Sequence, residues 1–152
     1  MPKSLSDPEQ LFYLGLKALI RNEKGQILLV QEDPRDNPFD TVSGDYWDFP
    51  GGRIQKGETE DQGFSREMQE ELGVSEVTRG PLVTAIISNL YSEIEGHKIG
   101  RILFIYQVSG DFSNIQLSDE HTAVKWFSPA EAAEWLKVKY PLELTGKIAE
   151  LD

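Results

Sequence analysis

Three glutamates, Glu67, Glu70 and Glu71, stand within five residues of one another, directly after Arg66. On a helix turning about 100° per residue, with Glu67 at 0°, Glu70 falls near about −60° and Glu71 near about +40°, so the three carboxylates share one face. Like charges at these spacings cost an isolated helix about 0.2–0.5 kcal/mol per pair. A divalent cation compensates for that repulsion, because carboxylate oxygens suit hard ions such as Mg2+ or Mn2+. Arg66 projects at about −100°, beside Glu70, where it can neutralise or orient part of the cluster. The competing explanation is a solvated acidic face, the commoner meaning of a glutamate-rich helix.

The helix carrying them is written clearly. Thr59 is a good N-cap, Gln62 completes a capping box, and Glu60 and Asp61 place negative charge in the first turn. Gly73 ends the helix, and Phe64, Met68 and Leu72 at i, i+4 spacings form the stripe that packs on a sheet. Before it, Leu11 to Ile20 and Gln26 to Gln31 read as two strands joined as a hairpin through Asn22-Glu23-Lys24-Gly25. A polar stretch from Glu32 to Asp45 reads as a long loop, and Trp47 to Phe49 as a short strand ended by Pro50-Gly51-Gly52. After it, Val83 to Leu90 and Ile99 to Val108 read as strands linked by a polar connection, Ser92 to Gly96. Ala123 to Phe127 adds a further strand, Ser128-Pro129 starts a second helix, and the tail from Lys137 carries no clear signal.

Spacing changes the standing of the acidic cluster. Gly52, five residues, Glu58, seven residues, then Arg66-Glu67-Met68-Gln69-Glu70-Glu71-Leu72-Gly73-Val74 is similar, position by position, to the signature of the Nudix hydrolases. Met68 stands where that family has Ile, Leu or Val, a volume-conserving exchange. The flanks extend the resemblance: the hairpin before the box, Trp47-Asp48-Phe49-Pro50-Gly51-Gly52 at its entrance, and Glu120 ahead of Trp126.

The resemblance implies an α/β fold, an α/β/α sandwich with a mixed sheet, spanning residues 1–152 as one domain with the box at 52–74. It implies hydrolysis of a nucleoside diphosphate linked to another group, with Mg2+ or Mn2+ as cofactor. Carried over by position, Glu67, Glu70 and Glu71 resemble the metal ligands, joined by the Gly52 carbonyl, while Glu58 supports the site. The general base is Glu67 or Glu120, and Glu120 is favoured as base or further metal ligand. Gly63 stands where alanine is expected, at a helix-propensity cost of about 1 kcal/mol. Room beside the metals and close packing of a neighbouring segment explain it equally well.

Tyr46, Trp47, Phe39 and Tyr91 are candidates for stacking on a base, with Arg53 a further substrate-binding candidate. Tyr91 and Leu117-Ser118-Asp119-Glu120-His121 resemble diadenosine polyphosphate hydrolases, whereas Pro50-Gly51-Gly52-Arg53 resembles the MutT-like nucleoside triphosphate branch. The first reading is therefore a nucleoside triphosphate pyrophosphohydrolase, with damaged nucleotides as the substrates the same resemblance suggests. A dinucleoside polyphosphate hydrolase is the enzymatic alternative. A nucleotide sensor is the non-catalytic one, and such sensors tend to lose box carboxylates that this chain keeps.

Composition limits the partners. The chain has 152 residues, 15 Lys+Arg against 26 Asp+Glu, a formal charge of −11 and no cysteine. Such an acidic protein does not suit a nucleic-acid polymer or an anionic membrane, both of which demand basic surface. Without Cys there are no disulfides, thiolate metal sites or cysteine nucleophiles. No apolar run approaches a membrane span and residues 1–10 lack the apolar core of a signal peptide, so a cytoplasmic location is expected and a homodimer remains compatible.

Overall fold

The computed structural model describes residues 10–32, 46–119 and 121–152. Alternation along the first two strands sets the layers. In β1 (Phe12–Leu19) and the residue after it, Leu16, Ala18 and Ile20 enter one core, while Leu19 enters another. In β2 (Ile27–Glu32), Leu28 and Val30 join the first core, and Ile27 and Leu29 the second. Period-2 side chains thus give both strands two buried faces.

The expected hairpin is corrected here. The turn forms, with Gly25 at φ +76° and the Asn22 side chain accepting from the Lys24 and Gln26 amides. The strands then diverge: the isolated bridge Arg21–Ile27 joins them at the base, and each continues into a different sheet. Strands apolar on both faces need a helix layer on each side, and separate sheets supply room for both.

β1 pairs antiparallel with β4 (Gly51–Arg53) and parallel with β7 (His97–Gly110), and β7 pairs antiparallel with β5 (Val77–Ile87) and β6 (Ser92–Ile94). The second sheet is β3 (Tyr46–Asp48), β2 and β8 (His121–Phe127), all antiparallel. Helix α1 (Glu60–Leu72) covers one core with Phe64, Met68 and Leu72. Helices α2 (Pro129–Leu136) and α3 (Leu142–Ala149) cover the other with Ala132, Leu136, Leu144 and Ile148. The expected mixed-sheet α/β architecture is therefore present.

Three further boundaries differ from the sequence reading. β5 starts at Val77 rather than Val83, because a bulged register around Arg79–Thr84 carries Gly80 and Pro81 inside the strand, and proline cannot donate to a ladder. Ser92 to Gly96 is a hairpin rather than a plain connection: Glu95 and Gly96 both take positive φ, 52° and 79°, which matches a tight two-residue turn. The tail contains α3, whose Leu144 and Ile148 are fully buried.

Helix α1 begins and ends as its sequence requires. Thr59 and Gln62 exchange both capping-box bonds, and Gly73 closes the helix at φ +69°, donating to Gln69 O. Gly63 faces β1: a Cβ there would lie 2.7 Å from Leu16 Cδ1 and 3.7 Å from Ile54 Cγ1. Close packing thus accounts for this glycine. Leu16 is fully buried, so its Cδ1 would have to give way within the packed core. Gly63→Ala is therefore expected to destabilise by about 1 kcal/mol, overpacking outweighing the gain in helix propensity. Urea unfolding checks this, and a more stable variant would show that Leu16 has room to move.

Candidate active site

Arg66 is the hub of the acidic face. Its Nε and Nη2 donate to Glu58 Oε2 and Oε1 at 2.7 and 2.9 Å, a bidentate pair. Nη1 donates to Glu67 Oε1 at 2.8 Å and Glu70 Oε2 at 3.2 Å, and Nη2 also reaches the Arg53 carbonyl at 3.0 Å. One guanidinium therefore ties the end of β4 to three carboxylates. Its hydrogen bonds hold Glu58 below the usual carboxylate range, assisted by the Gln55 amide on Glu58 Oε1 at 2.6 Å.

Glu67 and Glu71 are 8% and 6% exposed, whereas Glu70 points outward. Burial pushes the Glu67 carboxyl above its ordinary pKa, and Arg66 opposes that shift. The glycine turn meets these two glutamates. The Gly51 amide donates to Glu71 Oε2 at 2.8 Å. A Cβ on Gly52 would sit 2.6 Å from Glu67 Oε1, so only a glycine lets that backbone approach the carboxylate.

A buried charge network that the sequence reading missed lies under this turn. Asp48, fully buried, meets Lys139 Nζ at 2.7 Å and Lys17 Nζ at 3.1 Å, and accepts from Tyr140 OH at 2.5 Å and the Phe49 amide at 2.7 Å. Lys17 Nζ also donates to the Phe49 and Gly51 carbonyls, both at 3.3 Å. The available signal was a charged residue inside each of two apolar strands, since an interior charge requires a partner.

Burial alone would raise the pKa of Asp48, yet the charges of Lys139 and Lys17 outweigh it and hold the group far below the usual range. Such a carboxylate stabilises the fold above its unfolded pKa, and that contribution is lost as pH falls. Between about pH 5 and pH 3 the unfolded chain takes up a proton here that the folded chain refuses. Asp48→Asn should therefore be less stable than the parent at pH 7 and lose less on acidification. Urea unfolding at several pH values checks this, and parallel curves would contradict it.

The remaining sequence candidates are scattered. Tyr46 is 2% exposed and lies in the interior. Trp47 is half-buried, its ring edge-on to Phe127 at 5.0 Å and 6.4 Å from Trp135. Arg53 lies over the Tyr13 ring at 4.3 Å, and Lys98 over Tyr91 at 4.4 Å. Glu120 and Phe39 fall outside the described residues.

The donor chemistry suits a hard divalent ion: carboxylates from a rigid helix face against the backbone of Gly52. Among the described residues, however, no three His, Cys, Asp or Glu side chains gather as a metal-holding group. Arg66 holds Glu67 and Glu70, and the Gly51 amide holds Glu71, so the donors are present while protein groups satisfy them.

A family model described as NUDIX domain matches residues 13–145, from β1 into the first turn of α3. The chain belongs to the Nudix family. It is a MutT-like Nudix pyrophosphohydrolase, similar to the CTP pyrophosphohydrolase of Escherichia coli (strain K12) at 34% identity over 125 residues, 82% of this chain and 79% of that protein. The 8-oxo-dGTP diphosphatase of Proteus vulgaris is 39% identical over 49 residues, which is 32% of this chain and 43% of that one. Among solved structures, a MutT protein from Methanosarcina mazei Go1 matches with a TM-score of 0.64 at 26% identity, covering 93% of this chain and 94% of that one. Within this Nudix domain the box helix and the glycine turn are the parts joined by Arg66, Glu67 and Glu71. Among the described residues no helix is long and apolar enough to cross a membrane.

Proposed function

We propose that this Nudix protein hydrolyses a nucleoside triphosphate to the monophosphate and pyrophosphate, using Mg2+ or Mn2+. The observation that carries the reading is the meeting of the Gly51–Gly52 turn with the buried Glu67 and Glu71 carboxylates. Similarity to a CTP pyrophosphohydrolase over most of both chains supports a triphosphate over other nucleoside diphosphate derivatives. Glu67, Glu70, Glu71 and the Gly52 carbonyl would hold the metal. When bound, it screens phosphate charge and acidifies the attacking water.

This chain's own groups do the rest. Glu67, whose pKa is raised by burial, suits proton uptake, and Glu120 is the alternative base. Arg66, anchored by Glu58, fixes Glu67 and competes for its oxygens. Arg53, exposed at the end of β4, would meet phosphate charge, and Trp47 and Tyr91 remain the candidate base contacts.

The test is a panel of CTP, 8-oxo-dGTP, diadenosine tetraphosphate and ADP-ribose with Mg2+, with phosphorus products resolved. Pyrophosphate release from a triphosphate is expected to be fastest. Preference for diadenosine tetraphosphate would transfer the assignment to the dinucleoside branch. Nucleotide binding with no cleavage on any arm would favour a sensor.

A further inference from the structure

The three carbonyls of the Phe49–Gly51 segment all turn toward β1. Lys17 Nζ takes those of Phe49 and Gly51 at 3.3 Å each, and the Ala18 amide takes that of Pro50 at 2.9 Å. With the carbonyls directed this way, the Gly51 amide faces α1 and donates to Glu71 Oε2 at 2.8 Å, while the Gly52 backbone lies against the Glu67 carboxylate. A β-strand backbone supplies only one amide at every second residue to a given edge. Two of the three carbonyls therefore need a side-chain donor, and a long ammonium with three hydrogens can serve both.

We propose that Lys17 is a positioning residue for the hydrolytic site, gripping the Phe49 and Gly51 carbonyls so that the turn presents its Gly51 amide to Glu71 and its Gly52 backbone to Glu67. The proposal rests on the hydrolase reading above for its effect on rate, and on geometry alone for its effect on the turn. Lys17 is 4% exposed, which excludes a role as a mobile surface cation that meets substrate directly. Nor is Lys17 needed merely to satisfy Asp48. That carboxylate also receives Lys139 at 2.7 Å, Tyr140 OH at 2.5 Å and the Phe49 amide at 2.7 Å, so it keeps one full cation and two other donors when Lys17 is removed. Removing Lys17 thus deletes its grip on the turn together with the 3.1 Å ion pair to Asp48, and removing Lys139, the other cation on Asp48, separates the two effects.

The test compares Lys17→Met, which keeps the length of the side chain and deletes its donors, with Lys139→Met, which deletes the other cation on Asp48. Two readouts are taken on folded protein: hydrogen exchange of the Gly51 amide, without nucleotide or metal, and kcat and KM for CTP with Mg2+. Lys17→Met should speed Gly51 exchange about tenfold or more while the core amide of Leu28 keeps its protection. Turnover should fall about 10–10²-fold with KM within about threefold, the usual cost of a small misplacement of reacting groups. Lys139→Met should lower the unfolding midpoint yet retain Gly51 protection and most of the turnover.

Unchanged Gly51 exchange in Lys17→Met overturns the proposal, because the turn then stands without its grip. Equal effects of both variants on Gly51 also overturn it, assigning the role to the Asp48 network as a whole. If Lys17→Met does not fold, Lys17→Gln, which retains one short donor, is read by the same exchange measurement and should show intermediate protection. A parent that cleaves no nucleotide defeats the hydrolase reading, and Gly51 exchange still decides the role of Lys17.

Discussion

Glu67→Gln is expected to lower kcat on the preferred nucleotide by about 10²–10⁴-fold, the range commonly lost with a general base or an essential metal-holding carboxylate. The fold should survive. Burial raises the pKa of Glu67, so its ionised form costs folding free energy as pH rises through that value, and a neutral amide escapes the cost. Against this, Arg66 loses an ion pair at 2.8 Å but retains both oxygens of Glu58 and the contact with Glu70. The balance at pH 7 is stability within about 1 kcal/mol of the parent, with function and stability opposed at one residue. Steady-state kinetics with urea unfolding on the same samples checks both parts. Full activity would remove Glu67 from the reaction, and unfolding would make it a structural residue.

The same comparison applied to Glu120→Gln separates the two base candidates. A lost metal ligand is partly rescued by raising the metal concentration, whereas a lost base is not. The variant whose defect persists at saturating Mg2+ identifies the base.

Gly51→Ala should cost more than about 4 kcal/mol or prevent folding. At φ +133° this residue occupies backbone space closed to L side chains, and a Cβ would lie 2.0 Å from the Leu16 carbonyl oxygen. Neither partner can yield, since Leu16 is fully buried within β1 and paired there with Gly52. Gly57→Ala is the informative comparison. Gly57 also has positive φ, +81°, but nothing lies within 4 Å of its Cβ position, so its substitution carries backbone strain alone, about 1–2 kcal/mol. Urea unfolding of both variants measures the difference, and equal losses would mean the Pro50–Gly52 turn is looser than its contacts indicate.

The parts of the molecule that sequence foretold are those governed by local rules. Thr59, Gln62 and Gly73 delimit α1 because capping depends on neighbours three residues away, and the stripe Phe64, Met68, Leu72 identifies its inward face. Helix periodicity likewise put Arg66 beside Glu70, whereas its bidentate pairing with Glu58 emerges only in the folded chain. What escaped depends on distant partners. The divergence of β1 and β2 follows from helices covering both faces, information carried by the distant residues of α1, α2 and α3. Pro81 inside β5 was concealed by a bulge, and the Asp48 network joins residues 17, 48 and 139. The aromatic candidates show the same limit, since Tyr46 and Trp47 are alike by composition and only packing separates an interior ring from a half-exposed one.

The central claim is that the acidic face of α1 and the Gly51–Gly52 turn form a hydrolytic site dependent on a divalent ion. The most direct measurement is turnover of the best nucleotide as Mg2+ is removed with excess chelator and then restored, in the parent and in Glu70→Gln and Glu71→Gln at matched folded concentration. The account predicts that turnover in the parent vanishes with chelator and returns with Mg2+. It predicts that both variants require more Mg2+ for half-maximal rate at nearly unchanged stability, since relieved carboxylate repulsion offsets the lost contacts. Full hydrolysis in excess chelator, or Mg2+ response curves for both variants superimposed on that of the parent, would contradict it.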